Sequence, residues 1–322
     1  MNNYENSVAI IGAGISGLAL GSFLKENNFP CVIFERSSNI SEYGAGISIS
    51  PNGKDVLKKL NILDELKTIS GNSKKTIFYS NLKEITSINT EVITTSRKNL
   101  YDLLLKKYSS LGGEILFDYE LNDIDMENKN IYFKNGINHH VKHIAACDGI
   151  KSKCRQICFG SEMPQYSGYS VWRTILDQNQ TNINFYLGSG FHIVSYPINK
   201  NKTSFVAAVK TREENEESWM LRGTYSDLSK DIPVEILDNF ETLKNKKDIY
   251  KWGIYTRSKI ESLYSTNLTL FGDAAHPITP FIGQGGCMAL EDVYEFTKVL
   301  KSNNGQFLKT QKEYQSKRLK RV

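Results

Sequence analysis

The sequence predicts an α/β fold in which a parallel sheet flanked by helices is interrupted by an inserted antiparallel sheet. Three stretches predict it. Near the N-terminus the apolar run Ser7-Val-Ala-Ile-Ile11 leads at once into Gly12-Ala-Gly14-Ile-Ser16-Gly17, and then Leu18, Leu20, Phe23 and Leu24 recur at helical spacing. Midway, Ile144-Ala-Ala-Cys-Asp148-Gly149 ends a second buried run in an acidic residue ahead of a helix. Near the C-terminus, Leu268-Thr-Leu-Phe271 stops at Gly272-Asp273, crosses a Pro-broken loop and re-emerges as a helix at Gly283-Gln-Gly285-Gly286. The stretch from Tyr166 to Tyr255 alternates as strands do.

The first stretch is the most specific. Cys31-Val-Ile-Phe34 forms the next strand and Glu35 ends it, 18 positions after Gly17. In this βαβ context Gly12 serves the tight turn, Gly14 lets a pyrophosphate approach, Gly17 allows helix-on-strand packing and Glu35 meets a ribose diol. That is a Rossmann-type dinucleotide fingerprint, and by itself it does not choose between NAD and FAD. Glu35 disfavours a 2′-phosphate because two anions would meet, and Arg36 beside it weakens that argument. At the last stretch a carboxylate at a strand end, Asp273, can accept hydroxyls of a polyol. The glycines after it open a helix whose N-terminal N–H groups favour an anion. The bland alternative is an ordinary strand-loop-helix crossover.

The 322 residues, 40% hydrophobic and 23% charged, suffice for a large core in one or two closely joined domains. The net charge of +5 is spread along the chain. Its densest cluster, Lys317-Arg318-Leu-Lys320-Arg321, reads as the solvated face of a helix, and no nucleic-acid pattern is present. Five cysteines (31, 147, 154, 158 and 287) without a C-x-x-C pair fit a reduced, cytoplasmic setting. Cys154 and Cys158 share a helix face as small buried hydrophobes. The apolar stretch from Val8 to Leu24 contains four glycines and reads as folded structure rather than a signal peptide. No run reaches membrane-spanning length.

In order, Glu42 to Gly53 gives a glycine pair, an alternating strand and a Pro-started helix over Asp55 to Leu63. Lys75 to Thr95 reads as strands of a separate sheet. Arg97 stands ahead of a helix with Leu100, Leu103, Leu104, Tyr108 and Leu111 on one stripe, either as a surface residue or as a phosphate contact. Glu114 to Ile144 reads as three or four short strands. His139-His140-x-x-His143 has no suitably spaced carboxylate or cysteine, and its first two members face opposite ways in a strand, so no metal site is expected. Within the second sheet come an acidic, Trp-bearing segment (Arg212 to Arg222) and a helix around Ile232 to Leu243. A helix with Ala289, Val293, Phe296 and Leu300 on its stripe follows, then one running to Val322. The expected nucleotide-binding domain is 1–70, 97–165 and 256–322, and the expected substrate domain is 71–96 and 166–255.

Together these motifs resemble the FAD-dependent aromatic hydroxylases, the single-component flavoprotein monooxygenases of the p-hydroxybenzoate hydroxylase fold. The resemblance rests on Gly12-x-Gly14-x-x-Gly17 with Glu35, on Asp148-Gly149 with Ser152 and Arg155, and on Gly272-Asp273-Ala-Ala-His276-Pro277 followed by Pro280-x-x-Gly283-Gln-Gly285-Gly286. It implies a Rossmann-type FAD-binding domain with an inserted substrate-binding sheet. It further implies FAD held by Gly12, Gly14, Ser16, Gly17, Glu35, Arg36, Arg97 and Asp273. Pro280, Gly283, Gly285 and Gly286 would stand before the isoalloxazine, Gly46 near it, and Asp148 in the segment shared with NAD(P)H. The implied activity is hydroxylation of a small aromatic or heteroaromatic compound, with NADH or NADPH and O2, through a flavin C4a-hydroperoxide. His192 and Tyr196, four apart on one strand and hence on one face, are candidates for the base that deprotonates the substrate phenol, or are packed sheet residues. His276 reads as structural. Related chains continue some tens of residues past the equivalent of Val322, which leaves open a truncated FAD-binding protein without activity. An epoxidase of an apolar alkene is the other alternative. A monomer or homodimer is expected, with no metal, nucleic acid or transmembrane segment.

Overall fold

A computed structural model describes residues 3–39, 46–160, 162–211 and 222–322. Strand β1 (Val8–Ile11), helix α1 (Ile15–Glu26) and strand β2 (Cys31–Phe34) form the opening βαβ unit. Next come β3 (Gly46–Ile49), α2 (Pro51–Lys59), α3 (Leu63–Thr68), β4 (Lys75–Ser80), β5 (Lys83–Asn89) and β6 (Ile93–Ser96). Helix α4 (Arg97–Ser110) starts on Ser96, whose hydroxyl accepts from the Asn99 N–H. Strands β7 (Ile115–Leu116), β8 (Leu121–Asp125), β9 (Asn130–Phe133), β10 (Asn138–His140) and β11 (His143–Ala146) lead to α5 (Lys153–Phe159). The long β12 (Gln165–Leu176) is followed by β13 (Ile183–Gly188), β14 (Phe191–Pro197), β15 (Thr203–Lys210) and β16 (Arg222–Gly223). Then come α6 (Tyr225–Asp231), α7 (Val234–Leu237), β17 (Ile249–Thr256), β18 (Tyr264–Ser265), β19 (Leu268–Leu270), α8 (Gly285–Ser302) and α9 (Phe307–Arg318).

One six-stranded sheet runs β18-β19-β11-β1-β2-β7, parallel except at β18. Its central strands are buried along their whole length, as a sheet covered on both faces requires. Helices α1, α4, α8 and α9 pack around it in one core. An eight-stranded sheet runs β16-β17-β12-β15-β14-β13-β4-β5 and is antiparallel except where β13 meets β4. Its outer face packs Trp172, Phe205 and Ile193 against Leu228, Ile236, Leu237 and Phe240. Its inner face turns toward the six-stranded sheet's strand ends. The ribbon of β3 and β6 lies against that face, with Gly46 pressed on Ser204 and Tyr196.

Four details differ from the sequence reading. The helix expected from Asp55 begins at Pro51, whose fixed φ suits a first turn, and a break after Lys59 divides it from α3. The helix expected over Ile232 to Leu243 is instead α6 and α7. Thr224 and Asp227 close a capping box that starts α6, and Ile232, extended ahead of Pro233, ends it. Strand β6, expected in the separate sheet, pairs with β3. The last helix ends at Arg318 rather than Val322. The acidic segment ahead of Arg222 and the start of the Glu42 to Gly53 stretch, with the first of its glycine pair, lie outside the described residues.

No group of metal-ligating side chains exists among the described residues. His139 packs among Tyr4, Phe34 and Phe133, while His140 is exposed. His143 stacks on Phe307 at 4.3 Å with its Nε2 at 3.0 Å from the Thr269 hydroxyl, and burial pushes its pKa down to about 3. It is therefore a neutral core residue. No helix among the described residues is long and apolar enough to cross a membrane.

Candidate active site

The strand ends of the six-stranded sheet and the inner face of the eight-stranded sheet enclose a cavity of about 1000 Å³. Gly14, Ser16, Arg36, Gly46, Arg97, Asp148, Tyr196, Asp273, Pro280, Gly283, Gly285 and Gly286 all line it. Four other sequence-predicted residues, Gly12, Gly17, Glu35 and His192, do not.

The nucleotide side is shaped by close approaches. Gly12 has φ +102°, and a Cβ there would lie 2.5 Å from the Cys147 carbonyl oxygen. A Cβ on Gly17 would meet the Gly12 carbonyl oxygen at 2.0 Å. These two glycines build the loop, whereas a Cβ on Gly14 has no described atom within 4 Å and would point into open space. Gly14 is also the N-cap of α1, and no side chain caps the helix, so its first N–H groups are presented to the cavity wall. The Glu35 carboxylate accepts from the N–H of Ala13 at 2.8 Å and of Ser37 at 3.0 Å, fastening the glycine loop to the end of β2.

Asp148 accepts from the Ser152 hydroxyl at 2.6 Å and the Cys154 N–H at 3.0 Å, so its carboxylate caps α5. Burial pushes its pKa up, opposed by those hydrogen bonds. Asp273 is exposed to the cavity, with protein crowded around it. Burial pushes its pKa up as well, against the pull of Arg97 and His276. Gln284, at the N-cap of α8, donates to the Ser50 hydroxyl at 2.9 Å and accepts from Asn52 at 3.2 Å, which anchors that helix entrance to α2. Gly283 has φ +63°, and a Cβ there would be 2.4 Å from the Ser48 hydroxyl oxygen. The Gly283 to Gly286 turn thus fits closely against β3 as well as facing the cavity.

Behind that turn lies a cluster that sequence reasoning missed. Asp292 of α8, fully buried, accepts from the Gly272 N–H at 3.0 Å and from Arg318 Nε at 2.7 Å, and meets His276 Nε2 at 2.5 Å. Burial works against charge on His276, but the Asp292 charge, the hydrogen bond to it and Asp273 outweigh this and raise its pKa. His276 is therefore an internal brace, as its motif position implied. The signal for Asp292 was available: it sits at helical spacing with Ala289, Val293 and Phe296 on the buried stripe.

The sheet side is mostly apolar. Register places Arg173, Val206, Val194 and Phe185 on one rung, all of them lining the cavity. Tyr196 stands beyond one side of that rung, with its ring against Gly46. His192 stands beyond the other, beside Ala208 and Leu187. The rings of His192 and Phe281 pack in a T-shaped arrangement, centroids 5.2 Å apart, and Phe281 rather than His192 forms the cavity surface there. Burial lowers the pKa of His192. Arg173, which also lines the cavity, has its guanidinium 5.2 Å from the Trp252 ring and was not among the site residues expected from the sequence.

The family described as FAD binding domain matches residues 5–321. The chain is 26% identical over 338 aligned positions to 3-amino-4-hydroxybenzoate 2-monooxygenase of Streptomyces cremeus, covering 98% of this chain and 84% of that one. It is 24% identical to 3-hydroxybenzoate 6-hydroxylase of Klebsiella oxytoca, covering 97% and 84%. Among solved structures, Klebsiella pneumoniae HpxO complexed with FAD and uric acid superposes with a TM-score of 0.87 at 22% identity, over 98% of this chain and 85% of that one. The chain belongs to the FAD binding domain family and is a flavoprotein of the aromatic-ring monooxygenase kind.

Proposed function

We propose that the protein uses NAD(P)H and O2 to place a hydroxyl group on a small phenolic or heteroaromatic compound, with FAD as its resident cofactor. The observation that carries this reading is the two-sided cavity. A glycine loop and two helix N-termini, suited to anions and polyols, face an apolar wall with a few polar groups, suited to an aromatic ring.

The residues fit FAD. Gly14 leaves open space where a pyrophosphate needs backbone contact, and Asp273 offers a carboxylate to a polyol chain. Arg36 and Arg97 add positive charge along the same wall. Bound there, FAD supplies hydride acceptance from NAD(P)H and activation of O2 for transfer of one oxygen atom. The N-terminus of α8 places positive partial charge on the cavity wall at Gly285 and Gly286, where it stabilises an anion. The Gly149 to Lys151 segment and Arg36 line the same cavity and offer a place for the nicotinamide nucleotide.

Neutral His192 can take a proton from a phenol, and the Tyr196 hydroxyl can donate to or accept from the substrate. Four residues apart on β14, the two stand roughly 13 Å apart at their Cα atoms, which suits a ring carrying polar groups at opposite ends. Phe281 must yield for His192 to reach it. The relatives act on aminohydroxybenzoate and hydroxybenzoate by their names, and these compounds set the first panel to try. Incubation of the FAD-loaded protein with NADH or NADPH, an aromatic acid from that panel and ¹⁸O2 is expected to yield product heavier by one ¹⁸O atom. Oxidation of NAD(P)H yielding only hydrogen peroxide with every compound would argue against the hydroxylase.

A further inference from the structure

We infer that Phe281 is a specificity-determining residue, a peg that fills the His192 end of the cavity and so limits the substrate to a single ring. The inference deepens the hydroxylase reading and rests on it.

Phe281 comes from the loop that leads into α8, yet its ring packs against the apolar inner face of the eight-stranded sheet. It meets Tyr169 of β12 in a T-shaped arrangement, centroids 5.3 Å apart, and His192 of β14 in another at 5.2 Å. Those two strands flank β15 and so lie roughly 10 Å from each other. The β15 residue opposite His192 is Ala208, whose small side chain leaves a notch between the two rings, and Phe281 bridges it. T-shaped aromatic pairs are favourable beyond the apolar area they bury, so two of them hold the ring in place. The backbone fixes it from the other side. Phe281 stands in a short helical turn, Pro280–Ile282, that Pro280 opens and Gly283 closes at φ +63°. The Gly283 N–H donates to the Pro280 carbonyl at 3.1 Å, and the Gly283 carbonyl accepts from the Ser48 hydroxyl at 3.4 Å. Of the two large apolar side chains on the turn, Ile282 is 74% exposed, and Phe281 is the one packed on the sheet.

A ring laid over Val206 and Val194 has Phe281 at one end and Tyr196 at the other. Tyr196 is backed by Gly46, on which its ring presses, so Phe281 decides how long a substrate this wall accepts. His192 lies behind Phe281, two residues and roughly 7 Å along β14 from Val194. A phenolic oxygen directed at His192 needs only a slit beside the Phe281 ring. A second ring fused beside that oxygen needs the whole volume that the Phe281 ring holds. A benzene-sized void in an apolar wall is one that an apolar ligand fills. Truncating Phe281 therefore exchanges a ring of the protein for a ring of the substrate.

The test uses the FAD-loaded protein and follows the absorbance of the bound flavin during titration with 3-hydroxybenzoate and with 4-hydroxy-2-naphthoate, the same acid with a second ring fused beside its hydroxyl. The wild-type protein is expected to bind the single-ring acid at least about tenfold more tightly, although the larger compound has more apolar surface to bury. In Phe281→Ala the naphthoate gains at least about tenfold, while the affinity for 3-hydroxybenzoate changes by less than about threefold. FAD content is unchanged. Phe281→Leu keeps part of the bulk and shifts the ratio in the same direction by less, and it decides the matter should the alanine protein lose FAD. A wild-type protein that binds the naphthoate as tightly as the benzoate overturns the proposal without any variant. So do variants that change both affinities alike, which marks a structural role for the ring. A wild-type protein that discriminates as expected but forms no oxygenated product with NADH or NADPH keeps the peg and loses the hydroxylase. One that oxygenates both compounds alike keeps the hydroxylase and loses the peg. One that binds neither compound overturns both.

Discussion

Gly14→Val is expected to yield a folded protein that carries no FAD. The backbone at Gly14 has φ −74° and ψ −172°, an extended conformation open to any L-residue, and no described atom lies within 4 Å of a Cβ placed there. The apo protein has no clash to relieve. It loses only the advantage of glycine over valine at a helix N-cap, about 1 kcal/mol. The added side chain stands where the cofactor's pyrophosphate must touch backbone, so FAD affinity should fall at least about 100-fold, about 2.7 kcal/mol. Gly17→Ala is the contrasting case: its methyl group meets the Gly12 carbonyl oxygen at 2.0 Å, and both folding and FAD binding should fail. Thermal unfolding of the apo proteins beside FAD titration by flavin fluorescence separates the two. A Gly14→Val protein that retains FAD would show that the loop does not hold the pyrophosphate.

The largest loss of stability is expected at Asp292. Removing its carboxylate in Asp292→Ala leaves Arg318 and His276 buried with less to compensate them and the Gly272 N–H without its acceptor, a loss of about 3–5 kcal/mol. The loss should depend on pH. The folded-state pKa of His276 is raised above its ordinary value, so its contribution is fully present below about pH 6.5 and disappears as pH rises through the folded value. Buried His143, depressed to about 3, has the opposite sign: its stabilisation is complete above about pH 6.5 and falls on acidification. Because His143 is common to both proteins, it cancels in their difference. Urea unfolding of wild type and Asp292→Ala should therefore differ more at pH 6 than at pH 9, and a pH-independent difference would remove His276 from the brace. Since Asp292 holds the Gly272-Asp273 turn, the variant should also bind FAD more weakly.

Where backbone pattern sets the structure, the sequence was readable. The βαβ unit, the helix over Arg97–Ser110 and the strands of the second sheet follow from periodicity and glycine placement. What was less readable depends on partners distant in sequence. Strand β6 joins β3 because Gly46 and its neighbours lie against the larger sheet, a contact that no local pattern announces. Pro233, just inside the helix expected from Ile232, stands in the sequence and marks the break between α6 and α7. Glu35, read as a ribose ligand, has its carboxylate on the glycine loop, and Asp148 has its own on α5. Acid residues at strand ends are equally suited to a ligand and to a nearby N–H, and spacing alone does not separate those uses. Trp172-Arg173 resembles salicylate and hydroxynicotinate hydroxylases, but that likeness gave Arg173 no role, and only the register of three strands shows that it faces a cavity.

The most direct test of the central claim is anaerobic mixing of the FAD-loaded protein with NADH and with NADPH, with and without an aromatic acid, followed by admission of oxygen. The account predicts that the flavin absorbance bleaches, faster with the acid present, and that oxygen then restores it with formation of one hydroxylated product per flavin. A protein that keeps its FAD yet is bleached by neither nucleotide, whatever the acid, would contradict it.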